Sequence, residues 1–302
     1  MKQGFVTVAT GKEEYYVLAH NLLLSYRYHA ARPMPFALLC DRENEYTVDF
    51  DDVIVCPDAR CDVWDKMLFV WHAPYDENIF IDADSLAYRD LNLLWKRFRR
   101  APDFCVLGRI LPLDDPQGWF LPEYAGPYAK DLTCQIVCQG GIYFLRHGEA
   151  FPSFLATCRD VFQHFEEYHF NLYSDEALLS FACAVHRFYP EETWSGVFCY
   201  YPESEILSMD LSGGKLRFRW RYCPDNVWGM SQLLVHWGTR FTREDPYLGE
   251  AGKIARLYGE GKHAGRWTRV RSSLEVKAGR LRFRLKRAVP LFVKTAVYRL
   301  IH

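Results

Sequence analysis

The chain has 302 residues, 49% hydrophobic and 16% aromatic, which is the composition of a globular protein with room for one large α/β domain and appendages or for two small domains. Its net charge of −1 hides an asymmetry: residues 262–302 hold twelve Lys and Arg against Glu275 alone, a net of +11, so residues 1–261 hold −12. An acidic body of that size repels phosphates and argues against nucleic-acid binding, and the absence of any run of about 18 apolar residues, or of a basic start leading into one, leads to the expectation of a protein neither secreted nor membrane-spanning.

Taken in order, Gly4 to Ala9 is an apolar, β-branched run that reads as a strand. Thr10-Gly11 punctuates it before a helical pattern with Tyr15, Leu18, Ala19, Leu22 and Tyr26 on one face. Phe36 to Cys40 and Val53 to Val55 read as strands, Trp64 to His72 as a helix, and the run opening at Ile79 as a further strand. Strands alternating with helices imply a parallel sheet with ligands at the carboxyl ends of its strands. Leu91 to Arg99 then reads as a helix, Phe104 to Leu107 as a strand, and Leu111 to Thr133 as a long loop with four prolines. That loop carries Trp119, Phe120, Tyr124 and Tyr128, which can stack on a ligand or pack the loop onto the body. Gln139-Gly140-Gly141 precedes the strand Ile142 to Leu145, Phe151 to Phe165 is a helix, and Ser174 caps a second one over Asp175 to Cys183, with Asp175 and Glu176 in its first turn. Ile206 to Met209 and Leu216 to Trp220 have a hairpin pattern across Ser212-Gly213-Gly214. Gln232 to Val235 is a strand ending in His236-Trp237-Gly238, and Ile254 to Tyr258 is helical.

The ten cysteines are scattered, mostly within apolar segments, and read as reduced, buried thiols. There is no Cys-x-x-Cys, and Cys134-x-x-x-Cys138 lacks a second pair of ligands, which argues against a zinc site.

The centre of interest is Asn78-Ile79-Phe80-Ile81-Asp82-Ala83-Asp84-Ser85-Leu86, an apolar run driven straight into two carboxylates. Where the chain bends after such a strand, Asp82 and Asp84 can face one point and hold a hard cation through oxygen ligands. The bland alternative is a polar strand end with two solvated acids. His236, at another strand end, is a candidate third ligand or a hydrogen-bonded structural histidine.

In this order, Phe5-Val6-Thr7-Val8-Ala9-Thr10-Gly11, Lys66-Met67, Phe80-Ile81-Asp82-Ala83-Asp84-Ser85-Leu86, Gly140-Gly141-Ile142, Asp175-Glu176 and Val235-His236-Trp237-Gly238 resemble the GT-A glycosyltransferases, family 8 most closely. The resemblance spans roughly residues 4–245. It implies a Rossmann-like, mostly parallel mixed sheet flanked by helices over residues 1–261, followed here by a basic helical tail over 262–302. It also implies transfer of a sugar from a nucleotide-sugar donor, with UDP as the expected nucleotide, to a glycan or glycolipid acceptor, with retention.

The same resemblance assigns residues. Thr7, Ala9, Thr10, Gly11 and Tyr15 would hold base and ribose. Asp82, Asp84 and His236 would hold Mn2+ or Mg2+ at the diphosphate, with Ala83 beside the donor and Lys66 reaching it. Gly140 and Gly141 resemble the small-residue turn beneath the sugar, and Asp175 the acid on its hydroxyls. There are two departures. Glu176 stands where the family usually has glutamine, close to the reacting carbon, and Gly238 arrives one residue early, with Arg240 and Arg243 in place of a phosphate-binding lysine.

Two other readings stay open: a catalytically silent binding or scaffold protein of the same fold, and a haloacid-dehalogenase-type phosphatase, whose Asp-x-Asp normally opens the domain rather than following some 80 residues of α/β pattern. The tail interleaves Arg280, Arg282, Arg284 and Arg287 with Leu281, Phe283 and Leu285, which suits a peripheral site on an anionic membrane surface at its cytoplasmic face, or packing on the acidic body.

Overall fold

A computed structural model describes residues 1–191, 197–199, 204–220, 223–229 and 233–259. The basic tail from 262 lies outside the described residues. The chain divides into two compact units, Met1–Phe198 with Ser231–His236, and Cys199–Met230 with Trp237–His302.

The first unit is built on a six-stranded sheet of β1 (Gln3–Ala9), β2 (Phe36–Cys40), β3 (Asp52–Val55), β4 (Glu77–Ile81), β6 (Phe104–Leu111) and β7 (Gln135–Arg146), in the order β3-β2-β1-β4-β7-β6. The strands β3, β2, β1 and β4 run parallel, and β7 is antiparallel to both β4 and β6. Continuous apolar runs suit strands covered on both faces, and every residue of β2 and β4 is buried. Helix α1 (Glu13–His29) buries Tyr16, Leu18, Ala19, Leu22, Leu23 and Tyr26, so the apolar face expected from the sequence is present, with Tyr16 rather than Tyr15 at its start. The segment expected as one helix from Trp64 is a 3-10 turn, Val63–Met67, running into α2 (Leu68–His72). Further along lie β5 (Ser85–Ala87), α3 (Leu93–Phe98), α4 (Phe151–Gln163) and α5 (Asp175–His186).

Strand β7 differs most from expectation. The paired glycines lie inside it rather than ahead of it. Tyr143 pairs with Val106 and Gln139 with Leu107, so Gly140, Gly141 and Ile142 form a bulge opposite β6. Ser174 occupies the N-cap of α5 in extended conformation, but its hydroxyl makes no capping hydrogen bond. The 111–133 loop packs onto the body: Phe120 is buried edge-on to Phe181 at 5.0 Å, and the Tyr128 hydroxyl donates to Asp160 at 2.9 Å. Tyr124 stays exposed. Cys40, Cys56, Cys105, Cys134, Cys138, Cys158 and Cys183 are free and buried, while Cys61 is free and exposed.

Strand β8 (Val197–Cys199) falls on the division between the units, and β12 (Leu234–His236) belongs to the first. The second unit holds β9 (Ser204–Asp210), β10 (Lys215–Trp220) and β11 (Cys223–Gly229), an antiparallel sheet of order β11-β10-β9 whose first hairpin is the expected one. Helix α6 (Asp245–Gly259) follows, and its Glu250 accepts the backbone N–H of Leu211 at 2.5 Å. No helix among the described residues is long and apolar enough to cross a membrane.

Candidate functional site

Neighbouring parallel strands end together. Phe5 pairs with Ile79 and Val6 with Phe80, so the chain leaving β1 at Thr10-Gly11 and the chain leaving β4 at Asp82 emerge at the same edge of the sheet. At the first exit Gly11 has φ +71, the left-handed region, and an added Cβ would stand 2.9 Å from Cys61 Cβ. Asp41 Oδ1 accepts the Gly11 N–H at 2.7 Å and the Tyr16 hydroxyl at 2.6 Å, and the Arg42 guanidinium donates to the Gly11 carbonyl at 2.6 Å. Thr7 and Ala9 are buried in β1, Thr10 is buried just beyond it, and Tyr15 is half-buried on α1. Asp41 and Arg42 were not singled out in the sequence; a charged pair directly after the strand Phe36 to Cys40 was the available signal.

At the second exit the chain turns sharply. The Ser85 N–H donates to the Asp82 carbonyl at 3.1 Å, the Asp82 N–H to the Gly141 carbonyl at 3.0 Å, and Ala83 is buried in the turn. Beyond it, β5 pairs antiparallel with β12, setting Leu86 opposite Val235 and Ser85 opposite His236. This pairing, across some 150 residues of sequence, carries the imidazole to the carboxylates. His236 Nε2 lies 3.1 Å from Asp84 Oδ1 and 3.4 Å from Asp82 Oδ2. Ligand atoms of Asp82, Asp84 and His236 all fall within 4.8 Å of one another.

Two more elements close in. Lys66, from the 3-10 turn before α2, places Nζ 2.6 Å from Asp82 Oδ2 and 4.0 Å from Asp175 Oδ1. Asp175 and Glu176 open α5. The Tyr143 hydroxyl donates to Asp175 Oδ2 at 2.6 Å, with both residues buried, and the Gly140 N–H donates to Glu176 Oε1. Gln139 Nε2 lies 3.4 Å from His236 Nδ1. The glycines are small because side chains lean on them: a Cβ at Gly140 would stand 2.5 Å from Glu176 Oε1, and one at Gly141 2.8 Å from His236 Nδ1. Tyr143 and Gln139 were missed in the sequence, since a tyrosine within an apolar strand reads as core and Gln139 read only as part of the turn before it.

The electrostatics follow from burial set against charge. Burial favours the neutral form of Asp82, but Lys66 and His236 outweigh it and hold the carboxyl well below the usual carboxylate range. Burial likewise opposes the Lys66 ammonium, yet Asp175 and Asp82 raise it well above an ordinary lysine. Asp175 is raised by burial against the pull of Lys66, and Glu176 by burial and then by Asp175. Among the described residues, Asp82, Asp84, Asp175 and Glu176 thus gather around Lys66 and His236. Two carboxylates and an imidazole nitrogen converging on one point could hold a divalent cation.

Gly238 and Arg240 belong to the second unit. Gly238 has φ +69, and Arg240 is exposed with its guanidinium 5.8 Å from the Phe241 ring centroid. A second group of metal-competent side chains, Cys56, Asp58 and His72, has ligand atoms equally close together.

No family model matches this sequence, and no curated protein matches it. Solved structures do. The galactosyltransferase LgtC, in complex with donor and acceptor sugar analogs, matches at a TM-score of 0.53 with 12% identity, over 88% of this chain and 99% of that one. An LgtC active-site mutant carrying glutamate for glutamine matches at 0.52, with the same identity and coverage. The architecture is therefore the GT-A glycosyltransferase fold, as expected from the ordered motifs, with a carboxylate–histidine centre at the carboxyl edge of its sheet.

Proposed function

We propose that this protein is a metal-dependent glycosyltransferase that moves a sugar from a nucleoside diphosphate donor, with uridine as the base, to a glycan or glycolipid acceptor. The observation that carries the reading is the convergence of Asp82, Asp84 and His236 at the end of β4 within a GT-A fold. Those three residues would hold Mn2+ or Mg2+, supplying positive charge against the negative charge a diphosphate leaving group gains as the glycosidic bond breaks.

The chain's own residues do the rest. Thr7, Ala9, Thr10, Gly11 and Tyr15 line the donor's base and ribose side, where Asp41 and Arg42 hold the Gly11 turn in shape. Gly140 and Gly141 let backbone approach the sugar. Asp175 and Glu176 stand at the reacting carbon, and Glu176, raised by burial and by Asp175, marks the difference from relatives with glutamine there. The product retains the donor's anomeric configuration.

Thermal unfolding with UDP tests this. UDP with Mn2+ stabilises the protein, by about 2.7 kcal/mol at a hundredfold excess over Kd. Neither UDP with chelator nor the Asp84→Ala variant shows the shift. Absence of any metal-dependent shift with a panel of nucleotides and nucleotide sugars sinks the proposal.

A further inference from the structure

Lys66 sits where two cations compete. Its ammonium lies 2.6 Å from Asp82 Oδ2, the same oxygen that stands 3.4 Å from His236 Nε2, and Asp84 Oδ1 reaches that nitrogen at 3.1 Å. One oxygen is therefore shared between a lysine and the point on which three metal-competent atoms converge. A divalent cation at that point and an ammonium in contact with Asp82 bring like charges together in a half-buried place, where water screens them less than at an open surface. A second carboxylate stands ready for the lysine. Asp175 Oδ1 is 4.0 Å from Nζ, too far for a hydrogen bond, while its partner oxygen Oδ2 is held by the Tyr143 hydroxyl at 2.6 Å. Asp175 is thus fixed in place, with one oxygen turned towards Lys66 and not yet in hydrogen-bonding contact with it.

We propose that Lys66 is a built-in counter-ion with two positions. It neutralises Asp82 while no divalent cation is bound, and it moves onto Asp175 when Asp82, Asp84 and His236 take one. Without it, Asp82 would lose its closest cationic partner while Asp84 and Asp175 stay buried beside it, an arrangement that favours opening the site. The movement is short, because the lysine stem is flexible and both carboxylates already lie within 4.0 Å of Nζ. Asp175 and Tyr143 are positioning residues in this scheme: they act on the lysine, and through it on the affinity of the centre for its cation. The inference rests on the metal-binding reading above.

Mn2+ binding, read from the loss of the free-ion paramagnetic resonance signal, tests it without any turnover. Lys66→Gln and Lys66→Met, two variants so that a folding failure in one leaves the other, each bind Mn2+ about tenfold more tightly than the unmodified protein, the factor carried by one pKa unit's worth of charge interaction. Asp175→Asn weakens Mn2+ binding when Lys66 is present, because the lysine has lost its second position. The same change made together with Lys66→Gln has a clearly smaller effect. Mn2+ affinity unchanged or weakened in the folded Lys66 variants overturns the proposal, as does an Asp175→Asn effect equal with and without the lysine. If the unmodified protein binds no Mn2+, the metal centre itself is refuted and this inference falls with it; binding without the lysine effect refutes the counter-ion alone.

Discussion

Two clusters in the first unit bring three metal-competent side chains within 4.8 Å of one another, and they differ in what surrounds them. At Cys56, Asp58 and His72 the groups are satisfied by near neighbours. His72 Nε2 meets the two Asp58 oxygens at 2.8 and 3.0 Å, and the Cys56 thiol donates to the Ile54 carbonyl at 3.6 Å. Burial, with Asp58 adding to it, pushes that thiol up to about 12, so it stays neutral beside a histidine–aspartate pair at an exposed rim. At Asp82, Asp84 and His236 the carboxylates share Lys66 and the imidazole and are largely withdrawn from water. Closeness of ligand atoms alone does not make a metal centre. What differs at Asp82 is a lysine and an imidazole held between carboxylates that are largely out of water.

The difference can be broken at several points. The largest effect is expected at Gly141→Ala, whose Cβ would stand 2.8 Å from His236 Nδ1 and 3.2 Å from Gln139 Nε2. The imidazole must turn away from its carboxylates, at a cost of about 1–3 kcal/mol in the urea unfolding free energy and at least about tenfold in Mn2+ affinity. Unchanged Mn2+ binding in this variant would show that the histidine is dispensable, and the two clusters would then differ less than their charges suggest. Gln139→Ala comes next, since it removes the group 3.4 Å from the far nitrogen of His236. Metal titration should show about tenfold weaker binding, near 1.4 kcal/mol, with little change in unfolding. The smallest effect belongs to the other cluster. His72→Ala loses a pair whose side chains are 31% and 49% exposed, worth up to about 1 kcal/mol of stability, and leaves Mn2+ affinity where it was. A fall in Mn2+ affinity there would reverse the assignment of the two clusters.

Much of the architecture was legible in residue order. Apolar runs marked β1, β2 and β4 because strands covered on both faces need nothing else, and the abrupt change from Ile81 to Asp82 marked a strand end. Helix α1 was legible from its period, although Tyr16 rather than Tyr15 proved to be the buried ring. Strand β7 was legible only in its second half. Glycines in sequence read as a break, whereas pairing with β4 on one side and β6 on the other carries the strand straight through them and absorbs the excess as a bulge. The aromatic loop could be read either as a ligand platform or as packing. Phe120 went to the core, since burying such a ring gains about 1.5–3 kcal/mol, Tyr128 packed half-buried against it, and Tyr124 stayed exposed.

By itself the sequence determined that two carboxylates stand at the end of a buried strand, and that a histidine ends another strand, because hydrophobic patterning is local and survives without the rest of the chain. Tertiary structure decided what those residues meet. Three-residue β5 carries no periodic signal, yet its pairing with β12 is what brings His236 to Asp84. Lys66, equally consistent with a solvated helix face, is drawn between Asp82 and Asp175 by charges that lie close to it only in the folded chain. Charge balance is a property of neighbours in space, which is why local patterning marked Asp82 and Asp84 by the strand they end and gave no sign of the histidine–aspartate pair at Asp58.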